Sequence, residues 1–283
     1  MTLQTLIGAR DLADAMNERT ILVVDCRFDL ADPARGERDY MQAHIPGAVY
    51  ADLNRDLSDL SRPGLGRHPL PDAGGFATVL GRWGWVRGTP VVAYDAANGA
   101  LAAARLWWML RLSGNRDVAV LDGGLQAWTA AGLPLSADMP HRAPSVVAVD
   151  FDPAQIVYTE ALAQMLQNPQ MLLIDARAAA RFRGDVEPID AVGGHVPGAQ
   201  NRPFSDNLDA NGRFKPASTL RKEFEGLLAS RSSADVVNMC GSGVTACHNL
   251  LAMEHAGLHG ARVYAPSWSG WIADPARPVA KGG

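Results

Sequence analysis

The chain has 283 residues, of which 47% are hydrophobic and 20% are charged. This composition is typical of a soluble globular protein and excludes a disordered, collagen-like or coiled-coil chain. With 26 basic and 30 acidic side chains, its formal net charge of −4 gives no electrostatic reason to expect nucleic acid or an anionic membrane as a partner. At roughly 150 residues per domain, the length predicts about two domains.

The cysteine count and the N-terminal segment predict a cytoplasmic protein. Cys26, Cys240 and Cys247 are an odd number of thiols and make a poor disulfide framework. Charged residues at positions 10, 11 and 14 interrupt the stretch in which a signal peptide would be apolar. No apolar run reaches the ~18 residues of a membrane helix, so we expect no membrane partner.

Short apolar runs alternate along the chain with stretches of helical periodicity. In chain order, the predicted strands are Ile21–Asp25, Val91–Tyr94, Val118–Leu121, Leu172–Asp175, Val236–Met239 and Arg262–Tyr264. The predicted helices Ala100–Leu112 and Val244–His255 each follow one of these strands. Such alternation of strand and helix is typical of an α/β fold with parallel sheets.

Several motifs occur twice, once in each half of the chain. Each half has an Asp-X-Arg motif at the end of a predicted strand and a His-X-Pro-Gly-Ala motif further along. They stand at Asp25–Arg27 and His44–Ala48, and again at Asp175–Arg177 and His195–Ala199. This shared order predicts two copies of one domain, at residues 1–137 and 156–283. The stretch 138–155 contains prolines, has no long helical period, and is the predicted linker.

The segment after the strand Val236–Met239 combines a cysteine, a glycine-rich turn and a helix. It reads Cys240-Gly-Ser-Gly-Val-Thr-Ala246. Such a turn points successive backbone N–H groups inward, and the following helix N-terminus adds about half a positive charge. Both features favour an anion at the centre, where a cysteine would react as its thiolate. The alternative is a buried cysteine beside an ordinary turn. The first half has Asp95 at the matching position, so only the second half can supply a thiolate.

With these motifs, and with Leu121-Asp-Gly-Gly-Leu-Gln-Ala-Trp128, the chain resembles the two-domain rhodanese family of sulfurtransferases over nearly its full length. The resemblance implies an α/β fold of two tandem rhodanese domains, each a five-stranded parallel sheet flanked by helices. The second domain would be catalytic, and the first would contribute to a cleft faced by the Cys240 loop.

The resemblance also implies a two-step transfer of sulfur. Cys240 would take the outer sulfur of a small-molecule donor as a persulfide and pass it to cyanide, a thiol or thioredoxin. Backbone N–H groups of the loop would stabilise the charge on that sulfur, in the manner of an oxyanion hole. The loop residues in this role would be Gly241, Ser242, Gly243, Val244, Thr245 and Ala246.

The loop resembles the 3-mercaptopyruvate branch of the family more than the thiosulfate branch, which typically carries Arg and Lys in place of Gly241 and Ser242. The resemblance assigns the donor's carboxylate to Arg181, with Arg183 as a weaker candidate, because a guanidinium can donate two parallel hydrogen bonds. Mercaptopyruvate enzymes often carry a second arginine shortly after a Glu-Pro, and the residues that follow Glu187-Pro188 here include no such arginine. We expect mercaptopyruvate as the donor and thiosulfate as a slower substrate.

Ser242 matches a family serine that is proposed to work with a histidine and an aspartate from the first domain. His68 matches the histidine. Asp56 is the predicted acid, with Asp52 as the alternative. Such a relay could assist protonation of the leaving enolate. The competing interpretation is that His68 and Asp56 make only structural contacts.

The remaining candidates are assigned to structure. Residues that recur in both halves are expected to shape each domain, because only one half has the nucleophile. Cys26 and Cys247 are predicted core residues. We expect no cofactor and no metal, since Cys240, Cys247 and His248 lack a partner pair with zinc spacing. A cysteine phosphatase would need an arginine where the chain has Ala246. A persulfide carrier without small-molecule turnover is the non-enzymatic alternative.

Overall fold

The computed structural model describes residues 3–283, which form two compact units. The first unit comprises residues 3–59, 71–152 and 211–213, and the second comprises 60–70, 153–210 and 214–283. The segment Leu60–Leu70 therefore belongs to the second unit, although it lies in the first half of the sequence. The predicted linker 138–155 is divided, because residues up to Asp152 group with the first unit.

The first unit contains a five-stranded sheet in which every strand pair is parallel. Its strands are β1 (Leu6–Ile7), β2 (Leu22–Asp25), β3 (Val49–Tyr50), β4 (Val91–Tyr94) and β5 (Val118–Leu121), in the spatial order β1-β5-β4-β2-β3. Its helices are α1 (Ala9–Glu18), α2 (Arg35–Gln42), α3 (Ala73–Arg82), α4 (Ala102–Leu112) and α5 (Gly124–Ala130).

The second unit repeats this topology. Its parallel strands are β6 (Ile156–Val157), β7 (Leu172–Asp175), β8 (Gln200–Asn201), β9 (Val236–Met239) and β10 (Arg262–Tyr264), in the order β6-β10-β9-β7-β8. Its helices are α6 (Thr159–Met165), α7 (Ala179–Arg183), α8 (Ala217–Leu228), α9 (Ala246–His255) and α10 (Ser267–Trp271). Three short 3₁₀ segments lie at Pro153–Gln155, Phe204–Asn207 and Ser233–Asp235.

The six predicted strands are present as β2, β4, β5, β7, β9 and β10. Except for Arg262 at the start of β10, their residues are buried, as apolar runs covered on both faces of a parallel sheet should be. The other four strands were not predicted, because a two-residue strand has no measurable periodicity. Helices α4 and α9 each begin two residues later than predicted, since the turns before them are longer than the sequence pattern indicates.

The recurring Asp-X-Arg motifs make the same contacts in both units. Arg27 donates to both carboxylate oxygens of Asp25, and through Nη2 to the carbonyl of Ala43 at 2.7 Å. Arg177 repeats this geometry with Asp175 and with the carbonyl of Gly194, also at 2.7 Å. In both units this ion pair fastens the end of a central strand to the segment before the His-X-Pro-Gly-Ala turn.

No helix within residues 3–283 is long and apolar enough to cross a membrane. In the same part of the chain, no group of three or more His, Cys, Asp or Glu side chains is arranged to hold a metal ion.

Candidate active site

Cys240 lies where β9 ends, at the start of the turn that leads into α9. It is 1% exposed. Its N–H donates to Ser267 Oγ at 3.1 Å, and its carbonyl accepts from the N–H of Trp268 at 3.0 Å. Ser267 Oγ also lies 4.0 Å from Cys240 Sγ, and Ser267 adopts a φ of +53°, which is uncommon for a residue other than glycine. The first residues of α10 therefore fix the backbone on both sides of the candidate nucleophile.

The turn after Cys240 presents unpaired backbone donors. Gly243 adopts a φ of +76°, which an L side chain would strain, and this permits the tight bend. Within residues 3–283, five N–H groups of the turn donate no hydrogen bond: those of Gly241, Ser242, Val244, Thr245 and Ala246. Successive free N–H groups at a helix N-terminus form a concavity that suits an anion.

The corresponding turn of the first unit shows what such donors can hold. Asp95 follows β4 as Cys240 follows β9. Its buried carboxyl group accepts four backbone hydrogen bonds of 2.8–3.3 Å, from Ala97, Gly99, Leu101 and Ala103. Burial raises the pKa of Asp95, although these four hydrogen bonds favour its charged form. The first unit thus fills its turn with a side chain of its own, whereas the second unit has a thiol at the same place.

Ser242 and His68 form a buried pair. Ser242 Oγ lies 2.8 Å from His68 Nδ1, and the two residues are 6% and 4% exposed. His68 comes from the segment 60–70, which Ser269 ties to the loop. The N–H of Arg67 donates to Ser269 Oγ, and the N–H of Ser269 donates to the carbonyl of Gly241, both at 2.9 Å. The structure therefore brings together the serine and histidine of the predicted relay.

The two candidate acids lie in the first unit and have partners there. Asp56 is buried and accepts from the N–H of Asp52 at 2.8 Å, while Arg82 and Arg55 pair with its other oxygen. The Asp52 carboxylate accepts from the N–H groups of Asn54 and Arg55, both at 2.8 Å. The role of either aspartate in the relay stays a prediction.

Arg181, on α7, is held by two carboxylates. Its Nε and Nη2 donate to Glu187, the shortest contact being 2.7 Å, and Nη2 also donates to Asp190 at 3.0 Å. Burial alone would raise the pKa of Glu187, but hydrogen bonds from Arg181 and from two backbone N–H groups outweigh it and lower that pKa. Arg183 differs, since it pairs with Asp185 at the surface.

A second arginine, which the sequence analysis did not single out, lies beside the loop. Arg67 Nη1 donates to Asp190 Oδ1 at 2.5 Å, so Asp190 bridges Arg67 and Arg181. A Cβ atom built on Gly241 would lie 3.2 Å from Arg67 Nη2 and 3.7–3.8 Å from the terminal nitrogens of Arg181. Two guanidinium groups therefore flank the residue that follows the candidate nucleophile. In the sequence, the feature that could have indicated Arg67 is its position next to the candidate residue His68.

The other two cysteines lie in different surroundings. Cys26 is fully buried, and burial together with nearby carboxylates raises the pKa of its thiol well above the ordinary value. Cys247 is buried on α9, with its sulfur 3.4 Å from the carbonyl of Gly243. Neither is followed by a turn of free N–H groups like the one after Cys240, in the part of the chain that the structure describes.

Comparison with known proteins identifies the family. The rhodanese-like domain model matches residues 8–131 and 158–274. A probable 3-mercaptopyruvate sulfurtransferase of Pseudomonas aeruginosa is 49% identical over the full length of both chains. The human 3-mercaptopyruvate sulfurtransferase is 36% identical, over 95% of this chain and 92% of its own length. A putative thiosulfate sulfurtransferase of Mycobacterium tuberculosis is 38% identical, over 99% of this chain and 98% of its own.

Solved structures agree with these sequence relatives. The 3-mercaptopyruvate sulfurtransferase of Leishmania major superposes with a TM-score of 0.84 at 31% identity, over 96% of this chain and 76% of that one. The Escherichia coli 3-mercaptopyruvate sulfotransferase SseA gives a TM-score of 0.81, also at 31% identity, over 94% and 99% of the two chains. The predicted fold class is thereby confirmed, and the chain belongs to the rhodanese family, with two rhodanese domains in tandem.

Proposed function

We propose that this chain is a sulfurtransferase that moves the sulfur of 3-mercaptopyruvate, through a persulfide on Cys240, to a nucleophilic acceptor. The observation that carries the proposal is the position of Cys240 at a turn of five free N–H groups, with two guanidinium groups beside its neighbour Gly241. The relatives named as mercaptopyruvate enzymes, which match 100% and 95% of the chain, support the same donor.

In the first step, the Cys240 thiolate attacks the sulfur of mercaptopyruvate. A sulfur–sulfur bond forms, the carbon–sulfur bond breaks, and its electron pair leaves as the enolate of pyruvate. The enolate then takes up a proton to give pyruvate. The free N–H groups of the turn stabilise the negative charge on the outer sulfur, as the turn around Asp95 holds a carboxyl group.

Ser242 and His68 supply a path for the proton that the enolate needs. The hydroxyl of Ser242 follows the nucleophile by two residues and shares a hydrogen bond with His68 Nδ1. A hydroxyl coupled to an imidazole can donate a proton and recover it from the ring. Asp56 as the acid that completes this relay, with Asp52 as the alternative, remains part of the proposal.

In the second step, an acceptor attacks the outer sulfur of the persulfide and releases the Cys240 thiolate. Cyanide, a small thiol and thioredoxin are the proposed acceptors, since each offers a nucleophile that can form a bond to sulfur. The three cysteines are free thiols, which suits a reducing compartment and supports a proposed cytoplasmic location.

Thiosulfate is the second candidate donor. Arg67 and Arg181 beside Gly241 could meet a compact dianion as well as a carboxylate, and a relative at 38% identity is named as a putative thiosulfate enzyme. The test is a side-by-side measurement of kcat/KM for the two donors, with cyanide as the acceptor and thiocyanate as the product. We expect mercaptopyruvate to be the better donor. A higher kcat/KM for thiosulfate would assign the enzyme to that donor instead, and no turnover of either would leave only the carrier.

A further inference from the structure

We propose that Arg67 is a specificity-determining residue, which binds the carboxylate of the donor together with Arg181. The inference deepens the proposed function and rests on it, because it names how the same site recognises a 2-oxo acid. The residues after Glu187-Pro188 supply no second arginine to this site, and Arg67 reaches it from the segment 60–70.

The internal ion pairs occupy only part of each guanidinium group. Arg181 donates through Nε and Nη2 to Glu187, and through Nη2 also to Asp190. Its Nη1 donates no hydrogen bond within residues 3–283. Arg67 Nη1 donates to Asp190. Nη2 of Arg67 has no partner in the same part of the chain, and its Nε is buried without one. Each arginine therefore keeps an unused donor after its internal ion pairs are made.

The unused N–H donors of the two arginines lie next to Gly241. Arg67 Nη2 and Arg181 Nη1 are 3.2 Å and 3.8 Å from the point at which a Cβ of Gly241 would stand. Both are therefore next to the residue that follows the nucleophile. Two unused N–H donors on separate guanidinium groups can each take one oxygen of a carboxylate, and hydrogen bonds between charged groups are the strong ones. A mercaptopyruvate molecule whose carboxylate is held in this way would have its reacting sulfur beside Cys240.

The backbone that carries Arg67 is held in place by contacts with Pro266 and Ser269. Gly66 has a φ of +90°, and a Cβ there would come within 2.4 Å of the carbonyl oxygen of Pro266. The N–H of Arg67 is bound by Ser269, whose own N–H holds the carbonyl of Gly241. Arg67 is thus connected to the nucleophile's loop through one intervening residue, and Asp190 aligns its guanidinium with that of Arg181.

The test compares Arg67→Met and Arg67→Lys with wild-type enzyme, using mercaptopyruvate as the donor and pyruvate as a competitive inhibitor. Loss of a charge-assisted hydrogen bond predicts a roughly 10- to 100-fold fall in kcat/KM for Arg67→Met, mainly through KM, with a similar rise in the inhibition constant of pyruvate. Arg67→Lys keeps the charge without the planar fork and should fall between the two.

Two further variants separate donor binding from a structural role. Asp190→Asn removes the bridging charge but leaves both guanidinium groups and keeps an amide oxygen that can accept from Arg67, so pyruvate inhibition should weaken less than in Arg67→Met if the arginines bind the carboxylate. If Arg67 served only to hold Asp190, Asp190→Asn and Arg67→Met would weaken pyruvate equally, which would overturn the inference. Arg221→Met removes an exposed arginine of α8 and should change nothing.

The outcomes distinguish the two proposals. Wild-type enzyme that does not turn over mercaptopyruvate overturns the proposed function, and the role of Arg67 in donor binding with it. Wild-type turnover with unchanged KM and pyruvate inhibition in Arg67→Met overturns only the assignment of Arg67. If the Arg67→Met protein fails to fold, Arg67→Lys decides the question. A lysine variant with the KM and the pyruvate inhibition constant of wild type would contradict recognition by the guanidinium fork.

Discussion

At position 241, a side chain would meet two cations rather than open space. Two properties of this position decide what a substitution would do: the backbone φ of Gly241 and the charge around it. Gly241 is not among the glycines with a positive φ, so its backbone would accept another residue. The loop itself carries no charge, but Arg67 and Arg181 lie beside it. Charge near the nucleophile therefore comes from neighbouring segments and not from the loop sequence.

This geometry decides the effect of adding basic residues to the loop. Gly241→Arg would add a third cation next to two others, because its Cβ alone would lie 3.2–3.8 Å from the terminal nitrogens of Arg67 and Arg181, so we expect it to lower kcat/KM for both donors. Ser242→Lys adds a cation without a substitution at Gly241, and it removes the hydroxyl that pairs with His68. We expect Ser242→Lys to lower mercaptopyruvate turnover more than thiosulfate turnover. Steady-state kinetics with both donors measure this, and an unchanged ratio of the two kcat/KM values would mean that loop charge does not select the donor.

Arg181 should matter more than its helical neighbour Arg183. Arg181→Ala removes one of the two guanidinium groups beside Gly241, and it leaves Glu187 and Asp190 with one cation fewer. We expect kcat/KM for mercaptopyruvate to fall roughly 10- to 100-fold. Arg183→Ala breaks only a surface ion pair with Asp185 and is the matched control on the same helix. Equal effects of the two variants would show that the carboxylate is bound elsewhere.

At the scale of single elements, the two units have the same strand–turn–helix segment but place different side chains in its turn. In the first, the carboxyl group of Asp95 occupies the turn between β4 and α4. In the second, the turn between β9 and α9 keeps its N–H groups unpaired around a cysteine. The pattern of strand, glycine and helix could be predicted from the sequence. The position of the Asp95 carboxyl group inside the first turn could not be predicted, since it depends on four backbone contacts.

The four backbone hydrogen bonds to Asp95 predict that its carboxyl group stabilises the fold. Asp95→Ala would remove the acceptor of four backbone N–H groups and would leave two of them, those of Gly99 and Ala103, buried without this partner. Each unsatisfied buried donor costs about 1–3 kcal/mol, so we expect a loss of at least about 2 kcal/mol in the free energy of unfolding. Urea denaturation of the variant and wild type measures the difference. A loss below about 0.5 kcal/mol would contradict a structural role for this carboxyl group.

At the scale of the whole molecule, the sequence was informative where features are local or repeated. The duplicated motifs predicted two domains, and the short apolar runs predicted the six inner strands. The segment Leu60–Leu70 was beyond this reasoning, because nothing in its sequence says that it belongs to the second unit. Arg67 was missed for the same reason, since its partner Asp190 is 123 positions away. Ion pairs between distant segments have no periodicity from which they could be predicted.

We propose above that Cys240 carries the transferred sulfur, and this role can be tested directly. It is tested by mass spectrometry of the protein after incubation with mercaptopyruvate and no acceptor, with Cys247→Ser and Cys26→Ser as matched controls. We expect one added sulfur, about 32 Da, on the peptide that contains Cys240. The addition should disappear on treatment with cyanide, persist in both control variants, and be absent in Cys240→Ser. Sulfur on a different cysteine, or substantial turnover by Cys240→Ser, would contradict the proposed role of Cys240.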